Sequence, residues 1–154
     1  KNSEILKISN EEIIKLYEAV YHAYKNNSLS KTSEQNVAAG VISNGEIFTG
    51  VKVDFSKRWF IEPLMAASYK AIEKFGLKTQ IGAVCFIGDE YTTTESNLTV
   101  RDGIISLKTL GRINTKFASD ETLVLTGGKD GIRVETIGDY MPCEHKFIHN
   151  YEIK

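Results

Sequence analysis

The stretch Ile81 to Ile87 constrains this chain more than any other: Ile-Gly-Ala-Val-Cys-Phe-Ile carries no charge and no strongly polar side chain. Regular alternation would mark a strand with one wet face, and spacing near 3.6 residues would mark a helix; the run shows neither. A short segment that is apolar throughout suits a strand covered by helices on both sides. It predicts a central strand, closed by Gly88-Asp89, and it requires the rest of the chain to supply those helices. Cys85 within it reads as a core residue, because an unpaired thiol packs like a small hydrophobe.

Three segments answer that requirement. Ser9 followed by Glu12 is a capping-box pattern, in which hydroxyl and carboxylate satisfy amides left open by a first helical turn. Ile13, Leu16 or Tyr17, Val20, Tyr21 and Tyr24 then form one apolar stripe to about residue 25, with Asn26 to Asn36 as the exit loop. Pro63 suits a first helical position, and Leu64, Ala67, Ala71, Ile72 and Phe75 continue a second stripe that Gly76 should stop. Thr99 with Asp102 marks the start of a third helix, which Ile104, Leu107 and Leu110 carry to a stop at Gly111.

The remaining elements read as strands. Val37 to Ile42 and Glu46 to Val53 flank Ser43-Asn44-Gly45, and Asn-Gly supplies the positive φ angles of a tight hairpin. Leu123 to Leu125 and Ile132 to Ile137 flank Gly127-Gly128-Lys129-Asp130-Gly131, predicting two edge strands joined by a turn. That glycine-rich turn lacks the Lys-Ser/Thr ending and following helix of a phosphate loop. The predicted order is α-β-β-α-β-α-β-β, in one domain over residues 1–154, without repeats or an internal linker.

Composition excludes several functions. Nineteen basic residues nearly balance twenty acidic ones, so no strong positive field is available for a nucleic-acid duplex. No apolar run approaches the roughly 20 residues needed to span a bilayer. Cys85 and Cys143 read as reduced thiols of a cytoplasmic protein, since a chain of this length needs no disulfide staple. The opening Lys-Asn-Ser-Glu has neither an initiating Met nor a secretion-signal pattern, as expected of a trimmed or processed end.

Three segments carry a family resemblance: Ala38-Ala39-Gly40-Val41 in the first strand, Asn44-Gly45-Glu46-Ile47-Phe48-Thr49-Gly50 across the hairpin, and Asp139-Tyr140-Met141-Pro142 near the end. In this order and spacing the sequence resembles the cytidine and blasticidin-S deaminases. The resemblance implies a three-layer α-β-α sandwich with a mixed five-stranded sheet, and a homo-oligomer, dimer or tetramer. It also implies a zinc ion held by a Cys or His two residues before a proton-shuttling Glu at the second helix, and by a Cys-x-x-Cys pair opening the third. Zinc lowers the pKa of its bound water from about 15.7 towards 7, supplying the hydroxide that attacks the pyrimidine.

At the matched positions this chain reads Phe60-Ile61-Glu62 and Val100-Arg101-Asp102-Gly103-Ile104. The carboxylate position is retained in Glu62, while Phe60, Arg101 and Ile104 replace all three ligands, so the expectation is no zinc cofactor. Without a metal the site would face a water-pKa gap of about 8 units, on the order of 12 kcal/mol. The family's ribose-binding Asn-Val-Glu-Asn corresponds to Lys52-Val53-Asp54-Phe55. Carried over residue by residue, the resemblance makes Lys52, Asp54, Phe60, Arg101 and Asp102 the candidate contacts for a nucleoside-like ligand. Glu62 holds the shuttle position and is expected to pair with Arg101.

Each residue also has a plainer reading. Glu62 before Pro63 could serve only the helix dipole and its exposed amides. Trp59 and Arg58 could stack on a base, but packing ranks first, since an aromatic next to a helix start is more often a packing anchor. Cys143, His145 and His149 form C-x-H-x3-H, a zinc-compatible spacing, but outside the family's metal site, and a polar tail without metal is the favoured reading. The favoured function is a deaminase-fold binding or interaction module without zinc catalysis. Its rivals are an active nucleoside deaminase with ligands at atypical positions, and a structural partner whose cleft is filled by Phe60, Trp59 and Ile104.

Overall fold

A computed structural model describes residues 7–28, 36–56, 59–88, 107–128 and 131–140. Helix α1, Asn10–Lys25, starts where the capping box predicts. The Glu12 amide donates to Ser9 Oγ at 3.1 Å, and the Ser9 amide donates to Glu12 Oε1 at 3.2 Å. Leu16 and Val20 on its inner face are fully buried.

Strands β1 (Val37–Ser43) and β2 (Glu46–Val51) form the expected hairpin about Asn44-Gly45, whose φ angles of 52° and 81° are both positive. The predicted second strand ran on to Val53; the observed one stops at Val51. Ala38 opposes Val51, so β1 has no residue left for Val53 to face. The Lys52 amide makes a last bond to the Val37 carbonyl at 3.0 Å. The chain then forms a separate two-stranded sheet, β3 (Val53–Ser56) with β4 (Trp59–Ile61), which the sequence reading did not contain.

Helix α2, Pro63–Phe75, has Pro63 at its first position and ends at Gly76, as predicted. A 3₁₀ turn, Gly76–Lys78, leads into strand β5, Ile81–Gly88. Seven of its eight residues are buried, and it lies in the middle of the sheet, ordered β2-β1-β5-β6-β7 with β6 (Leu123–Gly128) and β7 (Gly131–Thr136). The all-apolar run is therefore a central strand. It is antiparallel to β1 and parallel to β6.

Two expectations are corrected here. Of the two strands expected at edges, only β7 lies at one: β6 lies between β5 and β7, with Val124 and Leu125 fully buried. Helix α3, Leu107–Asn114, runs through Gly111 instead of stopping there. Ile113, three residues beyond Leu110, is buried in the same core. That burial, about 1.5–3 kcal/mol, outweighs the roughly 1 kcal/mol cost of an internal glycine. The proposed start at Thr99–Asp102 lies outside the described residues.

The short helix α4, Ile137–Tyr140, follows β7 and takes Ile137 out of the predicted strand. The Thr136 amide donates to Asp139 Oδ2 at 2.8 Å, and the Asp139 amide to Thr136 Oγ1 at 3.3 Å. Helix α1 covers one face of the sheet, packing Leu16 and Val20 on Ala38, Ile42, Ala83, Cys85, Ile87 and Leu125. On the other face Leu64, Ala67 and Ala71 of α2, Leu110 and Ile113 of α3, and Ile137 meet Val84, Phe86 and Val124. The result is the expected three-layer sandwich around a mixed five-stranded sheet. Among the described residues no helix is long and apolar enough to cross a membrane.

Candidate functional site

Close contact between backbones places the start of α2. A Cβ on Gly50 would lie 2.5 Å from the Pro63 carbonyl oxygen and 2.9 Å from the Ala67 amide nitrogen. Only glycine lets β2 pass that close beneath the first turn. Gly50 also begins a row of mutual partners across all five strands: Gly50, Ala39, Phe86, Thr126 and Arg133. Directly opposed residues share a face, and Ala39 and Phe86 belong to the core under α2 and α3. The first turn of α2 and Arg133 thus mark opposite ends of one row.

Glu62 is the N-cap of α2, with extended backbone (φ −70°, ψ 138°), yet its side chain makes no capping bond to the helix amides. The capping half of the plain reading is corrected accordingly, although a carboxylate here still complements the helix dipole. Instead Thr109 Oγ1, on the fully buried Thr109 of α3, donates to Glu62 Oε2. The carboxylate ties the start of α2 to α3. The expected partner Arg101, together with Asp102 and Ile104, lies outside the described residues, as do Arg58, Cys143, His145 and His149.

Three of the predicted ligand contacts come together beside this point. Asp54 and Phe60 oppose each other in the β3–β4 pair. Lys52, the residue between β2 and β3, places Nζ 3.8 Å from Asp54 Oδ1 and 5.2 Å from the centroid of the Phe60 ring. The Lys52 and Asp54 side chains keep about a fifth of their surface, whereas Phe60 is half exposed. A cation over a ring contributes about 0.5–1 kcal/mol at such a site. The cluster therefore offers an aromatic face, a donor and an acceptor within one side-chain length.

Other polar groups along the row escaped the sequence reading. Thr126 Oγ1 is buried and has no hydrogen-bond partner among the described residues, an uncommon state for a buried hydroxyl. Beyond it, Arg133 Nε lies 2.7 Å from Glu135 Oε1, Arg133 Nη2 donates to Tyr140 OH at 3.2 Å, and Tyr140 OH donates to Glu135 Oε1 at 2.6 Å. Burial, reinforced by the bond to Glu135 and opposed by Arg133, pushes the Tyr140 phenol up to about 12. The Arg-Val-Glu alternation in the sequence was the available signal for the pair. The contribution of Tyr140 depends on the turn into α4.

No family model matches the sequence, and no curated protein does. Solved structures do. Cytidine deaminase from Burkholderia pseudomallei superposes with a TM-score of 0.59 at 17% identity, covering 88% of this chain and 98% of that one. The enzyme from Mycobacterium leprae gives 0.58 at 18% identity, with 88% and 99% covered. That from Mycobacterium tuberculosis gives 0.57 at 14%, with 86% and 95% covered. The fold is cytidine deaminase-like.

Zinc sites are built from thiolate, imidazole and carboxylate groups. At the first ligand position implied by the resemblance, this deaminase-like fold presents the Phe60 ring, which has no donor atom. The neighbouring Glu62 carboxylate accepts from Thr109. Among the described residues no three His, Cys, Asp or Glu side chains are grouped to hold a metal ion. These described residues do not fit a zinc centre.

Proposed function

We propose that this chain is a deaminase-fold module that binds a nucleoside-like small molecule without zinc-dependent hydrolysis. The contacts are Lys52, Asp54 and Phe60, completed by Arg101 and Asp102. The observation that carries this reading is Phe60. Where the resemblance calls for a metal ligand, the chain exposes half of a phenyl ring, flanked by an ammonium and a carboxylate. A base can stack on such a ring, while Lys52 and Asp54 offer a donor and an acceptor to its polar edge or to a sugar. Glu62, engaged by Thr109, is structural in this reading.

The test is a thermal-shift screen of nucleosides and nucleotides followed by calorimetric titration. A ligand at about 100 times its Kd stabilises the folded state by about 2.7 kcal/mol, which raises the midpoint by about 5–11 °C for a domain of this size. Phe60→Ala should abolish the shift, and Glu62→Gln should retain it. If no nucleoside or nucleotide moves the midpoint, binding is refuted. Cytidine, deoxycytidine and blasticidin-S should show turnover no faster than buffer. A rate that scales with protein and vanishes in Glu62→Gln would refute the absence of catalysis.

A further inference from the structure

The tip of the β1–β2 hairpin is bonded to a segment 34–36 residues further along the chain. Ser43 and Ile81 form the last pair of the β1–β5 ladder, after a register shift. Asn44 carries the connection beyond it. Its Oδ1 accepts from the Gln80 amide at 3.0 Å and from Ser43 Oγ at 2.7 Å, and its Nδ2 donates to the Lys78 carbonyl at 3.0 Å. The Asn44 amide adds a bond to the Gln80 carbonyl at 3.3 Å. The carboxamide thus clamps the hairpin to the stretch that leads from α2 into β5.

The same carboxamide is chemically labile, because Gly45 follows it. Cyclic imide formation needs the next backbone nitrogen to attack the side-chain carbonyl carbon, and a glycine puts no side chain in the way. Asn44 is the chain's only asparagine that precedes a glycine. Both residues are exposed, so water reaches the turn. Geometry holds the reaction back: with three bonds fixing its oxygen and nitrogen, the carboxamide cannot swing its carbon onto the Gly45 nitrogen until the clamp opens.

We propose that Asn44 is a spontaneous modification site that the fold keeps latent: it deamidates when the clamp opens, and the product cannot close the clamp again. The Gly45 nitrogen bonds to Asn44 Cγ and gives up its proton, the bond from Cγ to Nδ2 breaks, and Nδ2 leaves as ammonia. Water then opens the cyclic imide to aspartate or, by cleavage on its other side, to isoaspartate. The net change is one water consumed and one ammonia released. The carboxylate has no hydrogen to give the Lys78 carbonyl, so two acceptors face each other. Isoaspartate also lengthens the turn by one backbone methylene, and turn length fixes the register of a hairpin. Modification therefore marks chains that have opened locally. Nothing in this depends on the ligand site.

Peptide mapping by mass spectrometry tests it, on wild type held in one mildly alkaline buffer with and without guanidinium chloride. In the unfolded chain Asn44 should be the first asparagine to lose ammonia. In the native protein it should react at least about tenfold more slowly, since three hydrogen bonds of ordinary net strength lower the open fraction by at least that factor. Ser43→Ala removes one bond to Oδ1 and should raise the native rate about two- to tenfold while changing the unfolded rate little. Asn44→Asp, which reproduces the charge of the product, should melt at least about 2 °C lower, the shift of one hydrogen bond of average strength in a domain of this size. The proposal is overturned if Asn44 deamidates equally fast in both conditions or survives in the unfolded chain. An unchanged native rate in Ser43→Ala, or an Asn44→Asp protein as stable as wild type, also overturns it.

Discussion

Thr109→Val removes one hydroxyl and keeps the shape of the side chain. Thr109 is fully buried, and its Oγ1 donates to the Glu62 carboxylate. A hydrogen bond to a charged group contributes about 1.5–3 kcal/mol, and this one joins the start of α2 to α3. The variant should lose that amount in urea unfolding with an unchanged m-value, and its melting midpoint should fall by about 3–12 °C. Thr109→Ser keeps the donor and should lose only about 1 kcal/mol, the transfer energy of a methyl group. Combined with Glu62→Gln in a double-mutant cycle, Thr109→Val should show a coupling of about 0.5–3 kcal/mol. A Thr109→Val protein within about 0.5 kcal/mol of wild type, or an additive cycle, would refute the contact and leave Glu62 available for chemistry.

Gly50→Ala should cost about 1–3 kcal/mol by overpacking, because the new Cβ meets backbone of α2 at 2.5 and 2.9 Å; equal stability in urea unfolding would show that α2 does not rest on β2 there. Burial pushes the Cys85 thiol from 9.0 up to about 12. Between those values the unfolded chain has lost a proton that the native state keeps, so stability should fall as pH rises, by up to about 1.4 kcal/mol per pH unit. Tyr140 adds a loss of the same sign above pH 10. Comparing Cys85→Ala with wild type from pH 8 to 11 isolates the thiol, and parallel stability profiles would contradict its burial.

Much of the frame was legible because local chemistry and tertiary packing agree. The capping box starts α1 at Asn10, Asn-Gly closes the β1–β2 hairpin, and the unbroken apolar run is β5. Local pattern misleads where the decisive partner is distant in sequence. Nothing local in Lys52 to Ile61 reveals that β1 has run out of residues to pair, so the β3–β4 sheet could not be read from pattern alone. Gly111 looks like a stop until Ile113 is seen to be buried. Whether β6 lies inside the sheet depends on its parallel pairing with β5, a contact made across a long crossover. At the site, Lys52, Asp54 and Phe60 were found through the family resemblance and do come together. The Thr109 contact with Glu62 depends on how α3 packs, which no motif encodes.

We propose that this deaminase-like fold works without a catalytic metal. Metal content of the protein purified without added zinc tests it most directly, by elemental analysis against protein concentration. The protein should carry far less than one zinc per chain, with no gain after incubation with zinc and desalting. One zinc per chain, lost in Cys143→Ser or His145→Ala, would contradict it and point to an active deaminase with ligands in the C-terminal segment.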